Sequence, residues 1–128
     1  MAGDDRCPCG SRADLETCCG PVIAGTRPAL TAVDLMRSRY TAYCLGDVDH
    51  LRRSWAPSTV PREVAFDPEI RWAGLSIVDT EAGQALDKEG MVAFIARFVG
   101  PDGPRVLRER SDFVRHARRW VYLDGTPF

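Results

Sequence analysis

The chain has 128 residues, of which 45% are hydrophobic, 27% charged and 9% aromatic, the profile of one globular domain rather than a disordered or fibrous chain. It carries 17 basic and 18 acidic residues, a net charge of −1, so no bulk basicity argues for nonspecific nucleic-acid binding. The longest apolar run, residues 91–96, falls short of the about twenty residues that span a bilayer, and residues 1–6 lack the basic-then-apolar pattern of an export signal; the expected compartment is the cytoplasm.

Four of the five cysteines, Cys7, Cys9, Cys18 and Cys19, crowd into the N-terminal segment. In a reducing compartment such clusters more often bind metal or do redox chemistry than form staples. Four thiolates at this spacing can wrap one tetrahedral Zn²⁺, with sulfur about 2.3 Å from the metal. Pro8 stiffens the first pair. Gly10 and Gly20 follow the two pairs, where a tightly folded chain needs permissive dihedrals, and Pro21 is expected to stop any continuation. Arg6 and Arg12 stand close enough in sequence to offset part of the thiolate charge. Only Ala13, Leu15, Val22 and Ile23 are available as local core, so the metal would supply the folding energy of this segment. A redox-active thiol cluster or two disulfides are the alternatives. The spacing is not Cys-x-x-Cys, however, and no strand-then-helix pattern surrounds it. The favoured reading is one structural Zn²⁺ per chain with no open position for water.

Cys7-Pro-Cys-Gly-Ser11 followed by Cys18-Cys19-Gly-Pro21 resembles the SEC-C motif. That motif is the zinc-binding tail of the bacterial preprotein-translocase ATPase and occurs on many otherwise unrelated bacterial proteins. The chain departs from it at Arg12, where the motif usually has glycine, and at Leu15, where it usually has an aromatic residue. The resemblance implies zinc on the four cysteines and protein partners such as an export chaperone or the ribosome.

Residues 25–30 read as a linker containing Pro28. A helix is predicted from Thr31, which can cap it with Asp34 three residues on, to Gly46. Val33, Met36, Tyr40, Tyr43 and Cys44 form its apolar face, with Arg37, Ser38 and Thr41 largely away from it. Cys44 on that face is expected to be a buried, inert thiol. Asp47 can cap a second, short helix carrying Val48, Leu51 and Trp55, ended by Pro57. Residues 58–69 are irregular, with at most one helical turn. Strands are predicted over 71–80, 89–99, 105–114 and 119–123, with a turn at 100–104. Both sides of the second strand are apolar, so it is expected to be central and covered on both faces. Helices followed by an antiparallel meander give an α+β architecture.

This order of elements resembles the NTF2-like cone, with helices packed on a curved antiparallel sheet. Leu35-Met-Arg-Ser-Arg-Tyr-Thr-Ala-Tyr43, residues 51–55, Trp72-Ala-Gly-Leu-Ser-Ile77, Glu109-Arg-Ser-Asp-Phe113 and Arg119-Trp-Val-Tyr-Leu-Asp-Gly125 together look like the bacterial YchJ-type family (UPF0225). His50 replaces an expected aromatic residue. The resemblance covers nearly the whole chain and implies a SEC-C-like zinc motif over residues 1–25, a small zinc knuckle, joined to an NTF2-like domain over 26–128. It implies no settled activity.

A curved sheet under helices often encloses a pocket. The candidates to line it are Arg37, Arg39, Tyr40, Tyr43, Trp55, Trp72, Arg97 and Glu109. An arginine in an aromatic setting can hold a carboxylate or phosphate, and a buried Glu109 could act as a base. The competing reading makes Tyr40, Tyr43 and Trp55 core residues and pairs Arg97 with Glu109 across the sheet. His116 falls in a small basic turn with Arg115, Arg118 and Arg119. No histidine has a nucleophile partner in sequence, Ser38 and Ser111 lack a nucleophile-elbow frame, and no phosphate loop or dinucleotide fingerprint is present. No catalytic set emerges. A protein-interaction or adaptor role is the first reading. A small-molecule binder or isomerase/dehydratase-like enzyme using the pocket is the second, and a deep cavity holding Glu109, an arginine or a tyrosine hydroxyl would favour it.

Overall fold

The structure, a computed structural model, describes residues 5–128; residues 1–4 of the expected zinc segment and signal-free N-terminus lie outside the described residues. A 3₁₀ turn (Leu15–Thr17) leads into α1 (Cys19–Ala24), followed by α2 (Ala32–Leu45) and α3 (Val48–Arg53). Four strands follow: β1 (Arg71–Ala82), β2 (Glu89–Gly100), β3 (Gly103–His116) and β4 (Arg119–Pro127). They form one antiparallel sheet in chain order. Helix α2 packs on β1, β2 and β4, which is the expected α+β arrangement.

Helix α2 begins and ends where its sequence says. The Thr31 hydroxyl accepts from the Asp34 N–H at 3.1 Å, and Gly46 closes the helix with φ 73°. Its faces differ from expectation. Ser38 and Thr41 are fully buried and Arg39 is 4% exposed. The reason is that α2 is covered from both sides, by the sheet on one and by α1 and α3 on the other. Each buried polar group is satisfied, as burial demands. Ser38 Oγ donates to Leu35 O at 2.8 Å and lies 2.9 Å from His50 Nε2. Since Ser38 uses its one proton on that carbonyl, His50 carries its ring proton on Nε2 and donates it.

The N-terminal segment also departs from the sequence reading. Pro21 does not stop the chain; it sits in the first turn of α1, where the lost N–H had no helical partner. Gly10 does need its freedom, with φ 84°. Gly20 is required for a different reason: a Cβ there would lie 2.6 Å from Leu15 O. Cys7, Cys9, Cys19 and Ile23 join the same core cluster as Leu35, Leu51, Phe94 and Phe113.

Irregularities at Trp72/Gly74, Ile77/Asp79 and Asp112/Phe113 interrupt the ladders, and such bulges bend a sheet. Val92, Phe94, Ala96 and Phe113 are buried. β2 is central, as expected, but its two sides are not equally covered. Met91, Ile95 and Val99 are only half-buried and Arg97 is exposed. Ala93, on the same side, is buried, and Ile95 stands opposite Ser76 and Arg108 in the sheet. Between α3 and β1 the chain makes one helical turn, with the N–H groups of Thr59 and Val60 on Ala56 O. It then runs across the mouth of the sheet.

Candidate metal centre and cavity

The four N-terminal cysteines converge. Every pair of their Sγ atoms lies within 4.8 Å; Cys9 and Cys18 are 3.6 Å apart, and Cys18 and Cys19 are 4.0 Å apart. Tetrahedral thiolates about 2.3 Å from Zn²⁺ would be about 3.8 Å from one another, so the donor set fits that ion. The separations are well beyond a disulfide bond of about 2.05 Å. Local backbone bonds set the geometry. Cys7 N–H donates to Ala13 O at 2.8 Å and Gly10 N–H to Cys7 O at 3.3 Å, closing the first turn, while Cys18 and Cys19 stand at the start of α1. The sulfurs also tune one another. A hydrogen bond from Cys19 holds the Cys9 sulfur down to about 4, and the same contact pushes Cys19 up. Burial raises Cys18.

Two arginines from outside the quartet's own segment of sequence brace this loop. Arg37 Nη1 donates to Cys9 O at 2.7 Å. Arg27 donates to Cys18 O at 2.6 Å and to Thr17 O at 3.1 Å. Ser11 Oγ lies 3.1 Å from Cys18 Sγ. Thr41 Oγ1 lies 3.5 Å from Cys7 Sγ. Cys44 is half-buried, and burial pushes its thiol up to about 11, in keeping with an unreactive side chain.

A cavity of about 330 Å³ lies between α2 and the concave side of the sheet, within the size range of small-molecule sites. Its walls are aromatic. Trp72 packs against Tyr40, Tyr43 and Phe98 with centroids 5.9, 5.9 and 5.3 Å away. The Tyr40 hydroxyl accepts from the Gly74 N–H at 2.9 Å, and burial raises its ionisation. Arg39 lies against Trp55 and Tyr122, 4.8 and 4.7 Å from their centroids. Its Nη1 donates to Leu51 O and Ser54 Oγ at 2.8 and 2.7 Å, and burial lowers it to about 10. Glu109 Oε1 accepts from Ser111 Oγ at 2.8 Å and from the Tyr122 hydroxyl at 3.2 Å.

Residues 31–125 match the family model described as the YchJ, middle NTF2-like domain. A UPF0225 protein of Streptomyces coelicolor is 46% identical over 119 residues, covering 93% of each chain. The chain belongs to the YchJ-type, UPF0225 family. A UPF0225 protein of Deinococcus radiodurans is also 46% identical, over 93% of this chain and 87% of its own. The solution structure of a SEC-C motif containing protein from Rhodopseudomonas palustris matches with a TM-score of 0.83. It is 32% identical and covers 95% of this chain and 98% of its own. The crystal structure of a SEC-C motif containing protein from Psychrobacter arcticus gives 0.76 at 28% identity, over 95% and 82%.

On this UPF0225 chain the pocket candidates divide. Arg39, Tyr40, Tyr43, Trp55, Trp72 and Glu109 line the cavity. Arg37 does not; it is committed to the cysteine loop. Arg97 does not either: it is exposed on the far side of the sheet and donates to Ser76 Oγ at 3.0 Å. Nor can Arg97 pair with Glu109, because the register sets Arg97 opposite Val106 and Glu109 opposite Phe94, on alternate faces. The sequence reading passed over Tyr122 and Ser111, which hold Glu109, and Phe66 and Asp67, which line the cavity from the loop before β1. Glu109, Ser111 and Phe113 share one face by simple alternation, a signal present in the sequence. In the basic turn His116, Arg118 and Arg119 are exposed, and Arg115 is half-buried. It stacks on Trp120 at 4.3 Å and donates to Asp87 O and Ala85 O.

The described residues include no helix long and apolar enough to cross a membrane.

Proposed function

We propose that this protein is a zinc-braced small-molecule binder. Cys7, Cys9, Cys18 and Cys19 hold one structural Zn²⁺ per chain, residues 1–25 act as the brace, and the cavity of the domain over 26–128 takes the ligand. The observation that carries the reading is the cavity of about 330 Å³, in which Glu109 and tyrosine hydroxyls stand among aromatic walls. A few fixed polar groups within an apolar pocket are what small-ligand sites require. The zinc part rests on sulfur separations near those of a tetrahedral thiolate site. When bound, the ion fills its sphere with protein sulfur and contributes folding energy rather than an activated water. Such a thiolate set stays available in a reducing cytoplasm, which is the compartment this reading assigns.

The test uses a neutral aromatic probe, 2-phenylethanol, followed through the tryptophan indole N–H resonances. Trp55 and Trp72 line the cavity, whereas Trp120 donates to Leu30 O elsewhere. Saturable shifts of Trp55 and Trp72 with Trp120 unmoved, abolished by the cavity-filling Leu107→Trp, are expected. Shifts that persist in Leu107→Trp, or none at all, would remove the cavity reading.

The adaptor reading keeps one supporting observation: residues 10–14, 16 and 17 of the cysteine loop are exposed, a rim that a protein partner such as the ribosome or an export chaperone could touch. Co-sedimentation with purified ribosomes that is lost on Arg12→Glu with Glu16→Arg would support it, and equal sedimentation of both proteins would not.

A further inference from the structure

Arg39 and Glu109 both line the cavity but are not equally available. Arg39 is 4% exposed, its Nη1 serves Leu51 O and Ser54 Oγ, and its carbon lies against two rings. It is built into the wall. Glu109 is half-buried and only its Oε1 is used, by Ser111 and Tyr122. Oε2 accepts no hydrogen bond among the described residues, and no buried polar atom there lacks a partner, so Oε2 stands in accessible space. The carboxylate has been given room: a Cβ at Gly125 would collide with Glu109 Oε1 and Cδ. The second acid lining the cavity, Asp67, comes from the loop at its mouth. The more exposed charge is therefore negative, in a cavity also lined by Trp72 and Tyr43, and aromatic rings attract cations.

From this juxtaposition we infer that the cavity binds a small organic cation, an ammonium carried on a flat apolar body, with the ammonium on Glu109 Oε2 and the body against Trp72 and Tyr43. The ammonium donates to the unused oxygen, and the apolar body displaces water from the aromatic wall. A carboxylate ligand would meet Glu109 and Asp67 first, whereas Arg39, at 4% exposure, offers it little surface. The inference rests on the cavity reading above and specifies its ligand.

The experiment compares three probes of one shape on the full-length, zinc-loaded protein: 2-phenylethylammonium, 2-phenylethanol and 3-phenylpropionate. Affinities are read from the Trp55 and Trp72 indole shifts. The ammonium is expected to bind at least tenfold tighter than the alcohol, and the carboxylate weakest. Glu109→Gln should erase the advantage of the ammonium over the alcohol. If that variant does not fold, the charge series on the unaltered protein decides alone. Equal binding of ammonium and alcohol, or tighter binding of the carboxylate, would overturn the inference while leaving the cavity reading standing. Binding of none of the three would overturn both.

Discussion

Cys7 Sγ lies 3.5 Å from Thr41 Oγ1 across 34 positions of sequence. That contact joins the cysteine loop to the middle of α2, the same helix that presents Arg39, Tyr40 and Tyr43 to the cavity. Arg37 on α2 reinforces it through Cys9 O. The brace and the pocket therefore share one helix, and what weakens the first should loosen the second.

Loss of the ion should be costly. Stripping zinc with a chelator, or replacing Cys18 with serine, is expected to destabilise the fold by about 3 kcal/mol or more, since binding energy in such segments is folding energy. Cys44→Ser, outside the quartet, should cost under about 1 kcal/mol. Thermal denaturation with and without chelator checks both, and equal effects of the two serine variants would argue against a metal-dependent brace.

Stability should fall in mild acid through His50. Burial, with Arg39 and Arg53 nearby and Asp47 opposing them, lowers its ionisation from 6.5 to about 4. Above pH 6.5 the ring is neutral in both folded and unfolded chains and contributes nothing. Between about 6.5 and 4 the unfolded chain takes up the proton and the folded one does not, so stability declines by up to about 3 kcal/mol and then levels. His50→Gln should flatten this part of the profile. Because zinc release in acid is common to both proteins, their difference isolates the histidine; parallel curves would contradict the assignment.

Arg12 is an exposed residue at φ 72°, left-handed geometry that costs a non-glycine residue about 1–2 kcal/mol. It occupies the position where the resembled motif usually has glycine. Arg12→Gly is expected to raise stability by about 1 kcal/mol in denaturant melts. A lower midpoint would mean that the Arg12 side chain contributes more than its backbone costs.

Arg39→Lys should destabilise by about 2 kcal/mol, because an ammonium cannot reproduce the flat guanidinium against Trp55 and Tyr122 or both Nη1 bonds. Urea denaturation measures it. A neutral outcome would show that the stacked geometry contributes little.

Much of this was legible in the chain. Thr31 and Gly46 bound α2 because a cap and a left-handed exit are local chemistry. The convergence of the four cysteines was legible because two close pairs joined by a short loop can fold back on one another. The faces of α2 were not, since Ser38 and Thr41 read as solvent-facing until α1 and α3 cover them. Arg97 was misplaced for want of register. The two-residue turn between Gly100 and Gly103 sets it, and with that pairing Arg97 and Glu109 fall on opposite faces. Phe66 and Asp67 could not be found by periodicity, because the segment before β1 has none.

X-ray absorption at the zinc K edge of protein purified under reducing conditions reads the quartet directly. Four sulfur neighbours at about 2.3 Å with one zinc per chain are expected. A shell containing nitrogen or oxygen, fewer than four sulfurs, or protein that takes up no zinc would contradict the brace on which this account of the molecule stands.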